Sequence, residues 1–191
     1  MTVLSNVLGE TRREGWDDFL VSNLNLGKSV ESPTFKTFRD TYMAFAFPDN
    51  AVKEGHGDMH ILHNYKFGTA IYPHIHWSSN EATPTGNVQW KIDYSIARGH
   101  AVNTEAFAAF QTITLPPASC SGQYYHVITE ATSGISSSNI EVDSIVLVRI
   151  YRDTAAAEDT LTGDAFLFRV DFHVEVDNLM TAEKAAPFTK A

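Results

Sequence analysis

Cysteine is almost missing from this chain: Cys120 is the single one, so no disulfide can close within it. That composition suits folding in a reducing cytosol and argues against a secreted disulfide scaffold. Basic residues are also scarce. Fourteen Lys and Arg stand against 23 Asp and Glu, for a formal charge of -9, and nucleic-acid binding depends on clustered cations that release counterions from phosphates. Nucleic acid is therefore not an expected partner. The opening run Met1-Thr2-Val3-Leu4-Ser5-Asn6-Val7-Leu8 has neither a basic start nor a long apolar stretch, so no signal peptide and no membrane helix are expected. Catalytic fingerprints are lacking too: there is no Gly-x-Ser-x-Gly elbow, no Walker phosphate loop and no dinucleotide motif. Cys120 itself sits in Ala118-Ser119-Cys120-Ser121-Gly122 with no base beside it, which gives no reason to expect a reactive thiol.

What is abundant is apolar and aromatic. Hydrophobic residues make up 43% and aromatics 12% of 191 residues, enough for one globular domain with a substantial core. Before Tyr42 the pattern is weak and rich in Asn, Ser and Gly, which reads as an extended, irregular N-terminal arm over residues 1–41. Its Trp16, Phe19, Leu20, Phe35 and Phe38 are too apolar for a free tail and are expected to dock on the main domain or on a neighbouring subunit.

After residue 42 the apolar spacing settles to a period of two. Runs at 42–47, 60–63, 68–77, 87–97, 107–115, 124–130, 144–151 and 165–176 read as strands, separated by turn chemistry such as Pro48-Asp49-Asn50 and Pro116-Pro117. The clearest is 87–97, where Val88, Trp90, Ile92, Tyr94 and Ile96 share a face. In 165–176, Phe166, Phe168, Val170, Phe172, Val174 and Val176 are expected to form one continuous apolar row. About eight such strands predict an all-β fold, an antiparallel β-sandwich of jelly-roll type over residues 42–191.

Two histidines at i, i+2 in Tyr72-Pro73-His74-Ile75-His76-Trp77 share a strand face. With His173 beside Asp171 and Glu175 they supply three imidazoles and nearby carboxylates, a donor set that suits a borderline metal ion. The alternative is that these side chains hydrogen-bond one another or the backbone with no ion present. Arg149 and Arg152 near Asp153, and Arg169 near Asp171, are expected as ion pairs on the sheet surface. Gly68, His74, His76 and Glu81 fall at the spacings of the first cupin motif, and this stretch partly resembles that family of metal-binding jelly rolls. The resemblance implies His74, His76, Glu81 and His173 as ligands in a metal-dependent enzyme. The Pro-x-Gly turn of the second motif is absent between Gly163 and His173.

A wider likeness covers roughly two-thirds of the chain. Gly68-Thr69-Ala70-Ile71-Tyr72-Pro73-His74-Ile75-His76-Trp77, then Asn87-Val88-Gln89-Trp90-Lys91-Ile92-Asp93-Tyr94, then residues 145–153 and 161–168, together resemble a group of tailed-bacteriophage virion proteins. The resemblance implies a jelly-roll structural component, a capsid decoration (cement) protein or a tail-associated one, made in the host cytoplasm and carried in the virion. It also implies other virion subunits as partners, the major capsid protein or tail components, and a homo-oligomer such as a dimer or trimer. No cofactor and no enzymatic activity are expected on that reading. A host-attachment module that binds carbohydrate is a further alternative, since exposed Trp and Tyr beside polar strands suit stacking on sugars.

Overall fold

Alternating runs become paired strands once each finds a neighbour that buries the same face. The computed structural model describes residues 14–25, 31–99, 105–177, 179–182, 184 and 189, so the opening run on which a leader was excluded lies outside the described residues. Thirteen strands occur among them. In chain order they are β1 (Glu14–Leu20), β2 (Ser22–Asn25), β3 (Thr34–Arg39), β4 (Tyr42–Phe47), β5 (Glu54–His60), β6 (Ile71–Ser79) and β7 (Asn87–Val88). There follow β8 (Trp90–Ala97), β9 (Gln111–Thr114), β10 (Ala118–Ser119), β11 (Val127–Glu130), β12 (Ile145–Arg152) and β13 (Ala165–Asp177). No described helix is long and apolar enough to cross a membrane.

The topology is that of a long antiparallel hairpin folded over on itself. β4 pairs with β13, β5 with β12, β6 with β11 and β8 with β9, so first meets last and the fourth of the eight meets the fifth. Folding that hairpin places β11-β6-β13-β4 in one sheet and β5-β12-β8-β9 in the other, the arrangement of a jelly roll. β7 and β10 form a small separate ribbon.

The core lies between the two sheets. Phe47, Ile75, Trp77, Val170 and Phe172 from the first meet Trp90, Ile92, Val146, Val148 and Ile150 from the second. Trp90 takes Phe47 edge-on at 5.1 Å and Trp77 at 6.4 Å, separations at which aromatic pairs attract beyond their burial.

The N-terminal segment differs from expectation. It is extended, but its described part is regular strand rather than irregular chain. β1 runs antiparallel to the C-terminal half of β13, β2 pairs with β5 on the opposite sheet, and β3 pairs with β4. The 41/42 boundary therefore falls in the two-residue turn of a β3–β4 hairpin, where Asp40 has φ of 50°, a conformation Asp tolerates. Between β1 and β2 the chain steps from one sheet to the other, with the Val21 amide donating to the Val170 carbonyl at 3.0 Å. Gly57 makes that crossing possible. A Cβ there would meet Val21 Cγ1 at 2.6 Å and the Ser22 carbonyl oxygen at 2.8 Å. Gly55 and Gly57 also hide β5 from a hydrophobic pattern, which is why the strand expected at 60–63 lies earlier.

The continuous apolar row expected in β13 is broken by a bulge at Phe168, where the register with β6 shifts between Leu167 and Arg169. An inserted residue exchanges the faces. Ala165 and Leu167 point into the core before the bulge and Val170, Phe172 and Val174 after it, while Phe166 joins Ala44, Ala46 and Phe38 in a second small cluster outside. Pro73 sits inside β6 without breaking it. Its carbonyl accepts from Ala131, just past the end of β11, so its missing N–H faces a place where that ladder has already stopped.

Arg152 overturns its surface assignment. It ends the inward-facing row Val146, Val148, Ile150 of β12 and is fully buried. Its Nη2 donates to Asp159 Oδ1 at 2.7 Å and to the Leu161 carbonyl, and its Nη1 donates to the carbonyls of Phe47 and Gly163. This satisfied cage ties the β12–β13 loop to the end of β4, and breaking such a pair on one side typically costs about 3–5 kcal/mol. Arg149 is nearer the expectation, bridging Glu54 and Asp93 at 2.5 and 2.6 Å.

Candidate functional site

The bulge at Phe168 decides what the outer face of the first sheet presents. Past it, Asp171 and His173 point outward, and the antiparallel register sets Asp171 opposite His74 and His173 opposite Tyr72. β11 sets Glu130 against His74 from the other side, and β1 sets Asp18 against His173. Four strands thus bring three imidazoles and three carboxylates to one patch.

The three histidines singled out from the sequence do come together. His74 stacks on His173 at 4.1 Å between ring centroids and lies 5.1 Å from His76. His74 Nε2 is 3.7 Å from Asp18 Oδ1 and 3.9 Å from Asp171 Oδ2, and His76 Nε2 is 3.4 Å from the same Asp171 oxygen. His173 Nε2 is 3.1 Å from Asp18 Oδ1, and its Nδ1 is 2.8 Å from Glu130 Oε1. His76 Nδ1 is 2.8 Å from His126 Nε2.

Although on the outer face, the centre of the patch is dry: His74 and Asp171 are each 1% exposed. Burial pushes the His74 imidazole down to about 4, with the neighbouring His173 and His76 acting the same way and Asp18 and Glu130 opposing. Burial likewise lowers His76, helped by His126. It raises the Asp171 carboxyl to about 6 against the opposing pull of Arg169. Both central groups are thus driven toward neutrality. His74 Nδ1, His76 Nε2 and Asp171 Oδ1 are buried and without a hydrogen-bond partner.

Beside this cluster Trp16, Tyr72, Glu130 and His173 line an open hollow of about 480 Å³. Trp16 stands edge-on to Tyr72 at 5.9 Å and to His173 at 6.5 Å. An exposed indole can stack on an apolar ring face while the neighbouring carboxylate accepts hydrogen bonds from that ring's edge.

Other expected residues fall elsewhere. Glu81 is not with the histidines; its side chain lies against Gly163, so the ligand set of the cupin motif is not assembled. Of the interface candidates, Phe19 is buried in the chain's own core and Phe38 is half-buried among Tyr124, Phe166 and Phe168. Trp16, Leu20 and Phe35 remain exposed. Asp171 was visible beside His173 at an i, i+2 spacing, but nothing in the sequence announced Asp18, Glu130 or His126 as its neighbours, because those contacts depend on register between strands.

No family model and no curated protein matches this chain. Among solved structures, it is similar to TmCBM61 in complex with beta-1,4-galactotriose, with a TM-score of 0.34 and 9% identity over 84% of this chain and 86% of that one.

Proposed function

We propose that this chain is a structural subunit of a tailed-bacteriophage particle, most simply a capsid decoration protein, that works by attachment to other virion subunits rather than by catalysis. The sequence resemblance motivates the reading, and one structural observation supports it. The β3–β4 hairpin forms an exposed edge carrying Phe35, Tyr42 and Met43, 52%, 62% and 41% exposed. A jelly roll of this size has no need to leave such side chains in water, and edge strands without cover are templates for pairing with another chain. A decoration protein needs a rigid body and one adhesive margin, and the hairpin is such a margin. Mass spectrometry of density-purified particles from the encoding phage should find the chain at a copy number tied to the particle's symmetry. Its abundance in the lysate with absence from purified particles would refute the proposal.

A second reading, a virion protein that attaches to host-surface carbohydrate, is favoured by the hollow at Trp16 and Tyr72 with Glu130 at its wall. It uses different residues from the hairpin, so the two readings are separable by substitution.

A further inference from the structure

We infer that His74, His76 and Asp171 bind one divalent transition-metal ion of the zinc type. The ligating atoms of these three residues all lie within 4.8 Å of one another. In a tetrahedral site with metal–ligand bonds of about 2.0–2.1 Å the donors stand about 3.4 Å apart. His76 Nε2 is 3.4 Å and His74 Nε2 3.9 Å from Asp171 Oδ2, and Asp18 Oδ1 is 3.7 Å from His74 Nε2. Hydrogen-bonded partners would be closer, at about 2.7–3.2 Å. The spacing is that of ligands around a centre, not of groups that satisfy one another.

Two further observations point to the same place. Of the atoms placed to ligate, His76 Nε2 is buried without a hydrogen-bond partner, as are the other nitrogen of His74 and the other oxygen of Asp171, and native interiors rarely leave such groups orphaned. The supporting contacts are those of a metal site as well. When His76 Nδ1 carries the proton and donates to His126 Nε2, at 2.8 Å, the lone pair is left on Nε2, aimed at Asp171. Two nitrogens and one or two carboxylate oxygens favour zinc, cobalt or nickel over calcium or magnesium. Bound there, the ion would fasten the central strands β6 and β13 to each other. The inference is independent of the virion reading.

Untagged full-length protein, stripped with chelator and exchanged into buffer with Zn2+ or Co2+, should retain one ion per chain by elemental analysis after gel filtration. Bound Co2+ should give the visible absorption of a low-coordinate imidazole site. Asp171→Asn and His76→Gln should each weaken binding by at least about tenfold, while His56→Gln, on the opposite sheet and exposed, should leave it unchanged. If Asp171→Asn does not fold, His76→Gln carries the comparison, since His76 is only partly buried. Binding equal in wild type and both variants would overturn the site. So would loss of binding in His60→Gln alone, because His60 and His63 flank Asp143 at 2.9 and 3.4 Å and would then be the true ligands.

Discussion

At Asp171 and His74, burial acts on two groups 3.9 Å apart with opposite consequences for pH dependence. His74 titrates near 4 in the folded chain against 6.5 unfolded. The unfolded chain therefore takes up that proton first, and the stability tied to a neutral His74 is present above pH 6.5 and lost as pH falls toward 4. Asp171 runs the other way. Its folded carboxyl holds a proton up to about pH 6 against 3.8 unfolded, so its contribution favours the fold below pH 3.8 and is lost as pH rises through 6. Each shift spans roughly two units, about 3 kcal/mol, and in chelator-treated wild type the two nearly cancel between pH 4 and 6. Asp171→Asn should uncover the His74 slope, so that its urea midpoint drops more steeply than wild type on going from pH 6.5 to 4. His74→Gln should uncover the opposite slope. Urea curves at four pH values settle it, and three parallel profiles would mean that neither group is buried as described.

Among the elements, β12 was the easiest to read, because it keeps a strict alternation of buried and partly exposed positions, whereas β6 and β8 are also buried on their polar faces, at His74 and Ser78 and at Asp93 and Ser95. β1 could not be read this way because only Phe19 of its seven residues is buried, and a strand that borrows its partner from residues 171–177, far along the chain, leaves no local period. β13 was legible as a strand but not in its facing, since one inserted residue at Phe168 exchanges sides without changing composition. The site inherited that difficulty. His74, His76 and His173 were visible as types at a spacing, whereas Asp18 joins them only through the β1–β13 register.

The same strands make a prediction about the N-terminal segment. Phe19 and Val21 are 3% and 5% exposed, and the step from β1 to β2 links the two sheets, so this segment acts within its own chain as a strap. Phe19→Ala should cost about 3–5 kcal/mol, whereas Trp16→Ala, at an exposed ring, should cost under about 1 kcal/mol. Deleting residues 1–25 should lower the denaturant midpoint further and uncover the β5 edge. An unchanged midpoint after deletion would show the strap to be dispensable, and would favour docking on a neighbouring subunit over docking on its own domain.

For the molecule as a whole, the two exposed features share no residue, and that makes the functional readings testable against each other. The hairpin edge offers Phe35, Tyr42 and Met43; the hollow offers Trp16 and Tyr72 beside Glu130 and His173. Apolar burial at the edge proceeds against the mutual repulsion of subunits that each carry a formal charge of -9, so attachment to an acidic particle surface should strengthen as salt screens that repulsion. Sugar stacking by a neutral ligand should be nearly indifferent to salt. Phe35→Ser with Met43→Ser should therefore abolish binding to particles that lack the protein, measured by co-sedimentation, while Trp16→Ala leaves it intact. If instead Trp16→Ala abolishes binding to host-cell surfaces and the double substitution changes nothing in either assay, the adhesive margin is the hollow and the chain is an attachment protein.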